Sequence, residues 1–285
     1  MKFHQATADF FVPDGEPRDE ALKRITHLGI GAHQDDLEFM AFHGILQCYE
    51  NSQEWFGAVT CSDGGRSSRA GQFAHYSDLE IREARRNEQK RAASAGEYGV
   101  MIQLDYPSHA ITAPSDAALE NDLREILLAT SPKVVYTHNP ADKHETHVGV
   151  VLAALRAMRG MPKNLRPTKV IGCEVWRDLD WMPDEEKVIM DVSAGDHLAA
   201  KLNALFQTQI AGGKRYDQAT IGRRSANATF LDPRQADGAD QVIFGIDLTP
   251  LVTDESRDIT EFVSGFIERF HDDVRRKLLQ ERSSR

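Results

Sequence analysis

The sequence predicts an α/β protein with a Rossmann-like, mostly parallel sheet and helices on both faces. Short apolar runs typical of buried strands alternate along the chain with longer segments whose apolar residues recur at helical spacing. This alternation is typical of a parallel sheet covered by helices. Five strands are predicted, over residues 25–32, 55–62, 100–104, 134–137 and 169–176.

Four helices are predicted between and after these strands, over residues 37–50, 78–98, 116–129 and 145–158. Ser115 is a suitable N-cap for the third helix, and Pro132 marks the exit from it. Further along, a strand is predicted over 184–192, an amphipathic helix over 194–209 and a long helix over 254–279. The segment 210–241 is rich in Gly, Arg, Asp and Asn and is predicted to be a loop that acts as a lid or a subunit contact.

Length and charge limit the classes of protein that need to be considered. A chain of 285 residues fits one domain over 1–285, with a core of about 25–210 and a C-terminal loop and helix region of about 211–285. Lys and Arg number 34 against 44 Asp and Glu, which gives a formal charge of -10. Such an acidic balance argues against a nucleic acid or an anionic membrane as the partner.

Cysteine usage and the N-terminus predict the compartment. The three cysteines, Cys48, Cys61 and Cys173, are widely spaced and form no CxxC pair, so neither a disulfide framework nor a thiolate zinc site is expected. The N-terminal residues contain no apolar signal-peptide region, and no run approaches the roughly 18 apolar residues of a membrane span. We therefore expect a soluble, cytoplasmic protein.

Acids and histidines cluster directly after two of the predicted strands. His33-Gln-Asp-Asp36 follows the first strand, and His138-Asn-Pro-Ala-Asp-Lys-His-Glu-Thr-His147 follows the fourth. In open α/β sheets, ligands bind beyond the carboxyl ends of the strands at the point where the strand order reverses. The two clusters are therefore expected to form one site.

The residue types in these clusters are those of a catalytic metal centre. A catalytic zinc ion takes about three ligands from His, Asp or Glu and keeps one position open for water. His33 and Asp36 can converge on one ion while Asp35 points toward the open position. Of His144 and His147, one can bind the metal while the other faces the substrate.

Two readings without catalysis compete with this one. The His-Gln-Asp-Asp turn could simply cap the following helix, with Asp36 as N-cap and Glu38 favoured by the helix dipole. The fold could also belong to a nucleotide-binding or zinc-binding Rossmann module. However, the first strand-to-helix turn has no GxGxxG sequence, and its two aspartates would repel phosphate.

At these residues the sequence resembles a known family. Ala32-His-Gln-Asp-Asp-Leu-Glu38 is similar to the AHPDD-x-E signature of the LmbE-like, or PIG-L, zinc-dependent N-deacetylases, and His144-Glu-Thr-His147 is similar to their second motif. Thr60-Cys-Ser-Asp-Gly-Gly65 resembles the family's T-D-G loop. Arg85-Arg-Asn-Glu88 resembles its R-x-x-E helix, and the likeness extends over about residues 25–210.

The resemblance implies hydrolysis of an N-acetyl group on an N-acetylglucosamine-type sugar or glycoconjugate. It implies one zinc ion per chain held by His33, Asp36 and His147, Asp35 as general base and His144 as general acid or oxyanion partner. Iron, cobalt or manganese would also suit these ligands. The implied partners are a small-molecule amino sugar and further copies of the chain in a homo-oligomer. A metal-dependent hydrolase of another amide or ester is the alternative enzyme.

Five residues are predicted to contact the substrate, each with a structural alternative. Arg85 could pair with Glu88 along its helix, Asp63 could be a turn residue, and Trp176 could belong to the core. Three departures from the family pattern affect these predictions. Gln34 replaces the usual proline, Thr146 replaces an aspartate of the second motif, and a loop that often carries a sugar-binding acid has the sequence Asp105-Tyr-Pro-Ser-His109. The predicted substrate-binding residues are Arg85, Asp63, Ser108, His109 and Trp176.

Overall fold

An eight-stranded mixed sheet forms the centre of the protein in the computed structural model, which describes residues 1–283. The strands are β1 (Asp9–Phe11), β2 (His27–Gly31), β3 (Phe56–Ser62), β4 (Val100–Tyr106), β5 (Val134–His138), β6 (Lys169–Cys173), β7 (Val188–Asp191) and β8 (Val242–Asp247). Their order across the sheet is β1-β4-β3-β2-β5-β6-β8-β7. The five central strands, β4 to β6 in this order, run parallel, and β1, β8 and β7 join by antiparallel pairing at the edges.

Twelve α-helices pack around this sheet in the part of the chain that the structure describes. They are α1 (Arg18–Lys23), α2 (Asp36–Met40), α3 (Phe42–Cys48), α4 (Asp78–Ala95), α5 (Ser108–Thr112), α6 (Ala118–Thr130), α7 (Glu145–Arg159), α8 (Asp196–Asn203), α9 (Gln207–Ile210), α10 (Tyr216–Thr229), α11 (Thr249–Thr253) and α12 (Ile259–Ser283).

The helices cover both faces of the sheet, as predicted. Successive side chains of a strand point to opposite faces, and in β3 Val59 belongs to one apolar cluster while Phe56 and Ala58 belong to another. The first cluster includes residues of α6 and α7, such as Leu123. The second includes residues of α2, α3 and α8, such as Leu37. Two cores on either side of the sheet explain why its strands read as nearly continuous apolar runs.

The predicted helix over 37–50 is two helices. It begins one residue earlier, at Asp36, and is interrupted at Ala41, whose φ of -99° and ψ of 15° lie outside the helical range. The cap prediction at Ser115 is wrong, because α6 begins at Ala118 and its N-cap is Ala117. At this end of α6, the Asp116 side chain accepts a hydrogen bond from the Ala118 N–H at 2.9 Å.

The C-terminal third differs most from the prediction. The helix predicted over 194–209 is divided into α8 and α9, and within 210–241 the segment Tyr216–Thr229 forms helix α10 instead of loop. Tertiary packing against β8 stabilises α10 despite its polar composition, with Asn227 and Ala228 buried. The strand predicted over 184–192 is confirmed as the shorter β7, and the long helix α12 begins at Ile259 rather than at residue 254.

Two strands were absent from the prediction, and both lie toward the edges of the sheet. β1 is only three residues long, and β8 lies within a region where the sequence predicts no strand. Among the described residues, no helix combines the length and the apolar character that crossing a membrane requires.

Candidate metal and catalytic site

The site lies where β2 and β5 end side by side in the middle of the sheet. These two parallel strands are paired, with Ile30 opposite Thr137, and their next neighbours, β3 and β6, lie on opposite sides. The strand order therefore reverses between β2 and β5. The loop after β2 carries His33, Asp35 and Asp36, and the loop after β5 leads to His144 and His147 at the start of α7.

Asp36 organises the loop after β2. Its Oδ2 accepts hydrogen bonds from the backbone N–H groups of Ala32, at 3.1 Å, and His33, at 2.7 Å. The carboxylate is 3% exposed, so these two donors replace the water that burial removes and favour its charged form. The structure does not support the alternative in which Asp36 caps the following helix. The N-cap of α2 is Asp35, and its side chain makes no capping hydrogen bond.

Three ligand atoms, from His33 in the loop after β2, Asp36 at the start of α2 and His147 in the first turn of α7, meet in a compact triangle. His33 Nδ1 lies 3.2 Å from Asp36 Oδ2 and 3.2 Å from His147 Nε2, and His147 Nε2 lies 3.4 Å from Asp36 Oδ2. Zinc-ligand bonds of roughly 2.0–2.1 Å would place the ligand atoms of a tetrahedron about 3.3–3.4 Å apart. Burial lowers the pKa of His33 to about 4, which favours the neutral imidazole that a metal requires. Donor type and spacing thus fit a divalent transition metal.

Asp142 supports His147 from behind this triangle. Its Oδ2 lies 3.3 Å from His147 Nδ1, and a carboxylate acceptor there places the proton of the neutral ring on Nδ1. The lone pair of Nε2 then faces Asp36 and His33, as it does in carboxylate-histidine-metal arrangements. The sequence prediction missed Asp142, although it lies within the second cluster and the expected acid of the motif is absent at Thr146.

His138 is a further buried member of the site. Its Nε2 accepts the Ala32 N–H at 2.9 Å and lies 3.3 Å from Asp36 Oδ2, and its ring stacks on that of His147 with centroids 3.8 Å apart. Asp36, His138 and His147 form one group that could hold a metal, and His33, His144 and His147 form another. Because the Ala32 N–H already occupies Nε2 of His138, this ring is better suited to positioning Asp36 and His147 than to binding an ion.

Asp35 has an unusual backbone and an unsatisfied carboxylate. Its φ is 95°, a value that few residues other than glycine adopt, and its N–H donates to Gln89 Oε1 at 3.0 Å. Asp35 Oδ2 is buried without a hydrogen-bond partner, and the nearest cation, Arg85 Nη2, lies 3.5 Å away. Burial raises the pKa of Asp35 well above its usual range, although Arg85 acts in the opposite direction. Strain and an unpaired acceptor at one residue are typical of functional sites.

His144 lies between the triangle and solvent. It is the N-cap of α7, and its Nδ1 accepts the Thr146 N–H at 3.3 Å, so the proton of the neutral ring is on Nε2. Its ring stacks on His147 with centroids 4.5 Å apart and meets His33 at 4.9 Å. Burial lowers the pKa of His144. The residue thus offers an N–H donor beside the triangle.

A polar cavity of about 360 Å³ opens over these residues. Three of the predicted substrate-binding residues, Arg85, Ser108 and Trp176, line it together with Asp35 and His144. The other two lie elsewhere. Asp63 is in a turn in which its Oδ1 accepts the Gly65 N–H at 3.1 Å, and the exposed His109 is on α5 outside the cavity lining.

The sequence prediction missed part of the cavity wall. Tyr216, the first residue of α10, packs edge-on against Trp176 with ring centroids 6.3 Å apart, and Lys214 Nζ lies 5.0 Å from the centre of the Trp176 ring. Gln209 and the loop residues Arg66 and Ser67 complete this wall. No motif marks these residues, because they come from segments far apart in the chain.

The fold and the site together define an α/β protein whose sheet carries, at its switch point, a buried group of histidines and an aspartate that could hold a metal. Residues 28–158 match the model of the PIG-L family, described as GlcNAc-PI de-N-acetylase, which confirms the predicted resemblance to this family. The match ends before residue 210, to which the predicted likeness extends. No curated protein sequence matches the chain.

Several solved structures share the fold at low sequence identity. A conserved protein from Thermus thermophilus has a TM-score of 0.61 at 17% identity, over 77% of this chain and 93% of its own. The 4-carboxy-2-hydroxymuconate hydratase GalB of Pseudomonas putida has a TM-score of 0.61 at 18% identity, over 81% and 98%. The N,N'-diacetylchitobiose deacetylase of Pyrococcus horikoshii has a TM-score of 0.57 at 14% identity, over 81% and 88%.

Proposed function

We propose that the protein is a metal-dependent N-deacetylase that releases acetate from an N-acetylglucosamine-type sugar or glycoconjugate. The observation that carries this proposal is the triangle of His33, Asp36 and His147, with the Asp35 carboxylate, whose Oδ2 has no hydrogen bond, beside it in the wall of an open cavity. The PIG-L family match supports the same reaction class. The acidic pair Asp35 and Asp36, at the position where a Rossmann module would hold phosphate, argues against a nucleotide as the ligand.

His33, Asp36 and His147 would hold the ion, one per chain, with zinc as the expected metal and iron, cobalt or manganese as alternatives. When bound, such an ion supplies Lewis acidity, which polarises the amide carbonyl and lowers the pKa of water. Asp142 and His138 would fix the orientation of the ligands.

Asp35 is the proposed general base. An unpaired oxygen with a raised pKa is suited to taking a proton from the attacking water, because a more basic carboxylate is a better proton acceptor near neutral pH. Arg85 at 3.5 Å limits how far Asp35 can move and balances its charge. After the attack, the proton held by Asp35 can pass to the departing nitrogen.

His144 is the proposed general acid or oxyanion partner. Its Nδ1 is occupied by the Thr146 N–H, so its Nε2–H is the group available to the substrate. A donor at this place would stabilise the negative charge that develops on the carbonyl oxygen as water adds. Collapse of the tetrahedral intermediate then requires a proton on the amine, from Asp35, which took it from the water, or from His144 in its protonated imidazolium form.

The cavity wall supports a hydroxyl-rich or anionic substrate. Ser67, Ser108 and Gln209 offer neutral hydrogen-bonding groups, and Arg66 and Lys214 add positive charge to an otherwise acidic protein. Trp176 offers an aromatic face near His144, with ring centroids 6.2 Å apart, on which the apolar face of a sugar could rest. We assign the sugar portion of the substrate to this cavity.

Other reactions are compatible with the same fold and the same residues, and the test must distinguish them from deacetylation. The hydratase from Pseudomonas putida shares the fold, so the fold leaves the reaction open, and hydrolysis of another amide or of an ester would use the same residues. A metal-free protein that binds a nucleotide would instead have to accommodate phosphate against two buried aspartates. These alternatives predict no acetate release from N-acetyl sugars.

The test combines metal analysis of the purified protein with acetate release from a panel of N-acetylated glycosides. We expect about one equivalent of a divalent transition metal per chain, acetate from at least one N-acetylglucosamine derivative, and no acetate from Asp35→Ala. Activity that survives Asp35→Ala would contradict the proposed mechanism. A metal-loaded protein that releases no acetate but hydrates an unsaturated acid or cleaves an ester would contradict the proposed substrate.

Three further expectations remain predictions. They are the cytoplasmic location, the homo-oligomeric state and the organisation of residues 1–285 as one domain. Fractionation, light scattering of the purified protein and limited proteolysis would test them in turn.

A further inference from the structure

A second cavity meets the polar cavity at the two aspartates of the site. It has a volume of about 250 Å³ and shares Asp35, Asp36, Trp176 and Tyr216 with the first. Its remaining wall is largely apolar, with Phe39 of α2, Val175 after β6, Ala219 of α10 and Ile243 of β8. Two cavities of different chemistry thus meet at the proposed reaction centre.

We propose that this second cavity, the acyl pocket, holds the acyl chain of the substrate and accepts uncharged chains several carbons longer than acetyl. The inference rests on the proposed function and deepens it. An amide carbonyl carbon carries its nitrogen and its acyl chain on opposite sides within one plane. When the carbonyl lies beside Asp35, one substituent enters the polar cavity and the other must point away from it.

The residues that line the two cavities determine which cavity holds the sugar and which holds the acyl chain. The polar cavity offers Arg66, Ser67, Ser108 and Gln209 to sugar hydroxyl groups. Thr220 and the charged residues are the polar part of the acyl pocket wall, and a hydroxyl placed against the apolar part, at Phe39, Val175 and Ile243, would lose hydrogen bonds to water. An apolar chain gains by leaving water there. The sugar therefore belongs in the polar cavity and the acyl chain in the acyl pocket.

The size of the acyl pocket exceeds what an acetyl group needs. A methyl group is about as large as a water molecule, whose share of liquid volume is about 30 Å³, whereas the acyl pocket measures about 250 Å³. Each methylene that fits should then improve binding of the transition state, by roughly threefold in kcat/KM per group.

Charged residues also border the acyl pocket, and each makes a hydrogen bond to the protein, although Arg224 Nε and Nη1 and Glu174 Oε2 have no partner among the described residues. Arg224 Nη2 donates to the carbonyl oxygens of Glu38, at 2.9 Å, and Phe39, at 3.0 Å. Arg223 donates to the Val175 carbonyl oxygen, and Glu174 Oε1 accepts the Phe244 N–H at 3.0 Å. Two cations, Arg223 and Arg224, and three buried acids, Glu174, Asp35 and Asp36, line this space. Because both signs of charge are present, we expect uncharged chains to be preferred.

The first experiment compares N-acetyl-, N-butyryl-, N-hexanoyl- and N-succinylglucosamine as substrates of the metal-loaded wild-type protein, by release of glucosamine. We expect kcat/KM to rise by about tenfold from acetyl to butyryl and further to hexanoyl. Succinyl, which has the same number of carbons as butyryl, should be at least tenfold poorer than butyryl. A preference for succinyl would show that this space selects an anion and would overturn the inference.

The result also separates this inference from the proposed function. Hydrolysis of the acetyl compound with no gain for longer chains overturns the acyl pocket alone and leaves the deacetylase intact. Hydrolysis of none of the four compounds, together with no acetate from any glycoside of the panel, overturns both.

A matched pair of variants on α10 locates the effect. Ala219 is exposed at the rim of the acyl pocket, and the neighbouring Gln218 is equally exposed but does not line it. Ala219→Phe should lower the ratio of hexanoyl to acetyl activity by about tenfold, whereas Gln218→Phe should leave this ratio unchanged. Equal ratios in the two variants would overturn the proposal, and melting temperatures of both would verify that α10 is intact.

Discussion

At the scale of single residues, Asp35 combines backbone strain, burial and a carboxylate oxygen without a hydrogen bond. Its φ of 95° would suit glycine, and its Oδ2 has no hydrogen-bond partner. Both features cost stability. They persist because the loop is held on both sides, by Gln89 at the Asp35 N–H and by the backbone donors to Asp36.

Asp35→Asn tests the proposed base without changing the shape of the loop. Asparagine has nearly the same shape and tolerates positive φ, but its amide cannot take a proton from water. We expect kcat to fall by about 10²- to 10⁴-fold. The free energy of unfolding should change little, because the variant removes a buried charge but also leaves Arg85 without its acidic neighbour. Steady-state kinetics and urea unfolding measure the two quantities.

Asp63→Asn is the matched control for this variant. The Asp63 side chain accepts the Gly65 N–H within a turn, a bond that asparagine can also make. A loss of activity greater than about twofold, beyond the roughly ±0.5 kcal/mol expected of a neutral substitution, would mean that Asp63 contacts the substrate, as the sequence predicts. Asp35→Asn with nearly wild-type activity would exclude Asp35 as the base.

Asp142→Asn tests the support of His147. The variant replaces the carboxylate near His147 Nδ1 by an amide, which can present its NH₂ group to the ring and favour the wrong tautomer. We expect metal affinity to weaken by about 10- to 100-fold, measured by competition with a chromophoric chelator. The control is Asp122→Asn, since Asp122 is also buried but bonds Tyr106 and His4 away from the site. Equal affinities in the two variants would contradict the role of Asp142.

At the scale of elements, the sequence predicted the parallel strands well and the C-terminal third poorly. The central strands are buried on both faces, so their apolar runs are continuous and easy to recognise in the sequence. Helix α10 contains Gly222, Arg223 and Arg224 and lacks a long apolar stripe. Its stability comes from contacts with β8, such as the bond from Asn227 Nδ2 to the Val242 carbonyl oxygen at 3.1 Å. Contacts of this kind between distant segments leave no periodic pattern.

Gly44 shows how closely α3 packs on the sheet. A Cβ at this position would overlap the Tyr136 ring and lie 2.9 Å from its Cζ, closer than a van der Waals contact allows. We expect Gly44→Ala to lower the free energy of unfolding by about 1–3 kcal/mol, because overpacking exceeds the gain in helix propensity. Chemical denaturation measures the change.

Gly222→Ala on α10 measures the effect of helix propensity on stability without the overpacking expected at Gly44. Apart from its chain neighbours and the backbone of its own helix, no described atom lies within 4 Å of the Cβ that this change would add. The variant should therefore gain about 0.5–1 kcal/mol from helix propensity alone. Stabilisation by both alanines would show that Tyr136 moves aside and that the packing of α3 is loose.

At the scale of the whole molecule, the position of the site follows from the topology. Alternating strands and helices predicted a doubly wound sheet, and the rule for such sheets placed both clusters at one switch point, where the structure brings His33 and His147 to 3.2 Å. The two short motifs, one after each strand, were therefore sufficient to predict the residues at the centre of the site. Tyr216, Gln209 and Arg66 of the cavity wall could not be predicted, because folding brings them there from segments with no motif.

Metal removal tests whether the site joins distant parts of the chain. His33 and His147 are 114 residues apart in sequence, and an ion bound to both, which has little affinity for the unfolded chain, would stabilise the folded state. At a free metal concentration 100 times the Kd, the gain is about 2.7 kcal/mol, which corresponds to roughly 5 °C in Tm for a chain of this size. We expect a chelator to lower the Tm of the wild-type protein by that amount and added metal to restore it.

His33→Ala, which removes the half-buried ligand at the least structural cost, should show a much smaller difference in Tm between the chelated and metal-loaded states. An identical difference in the wild-type and variant proteins would mean that the stabilising ion binds elsewhere, and the triangle would then lose its assignment as the metal site.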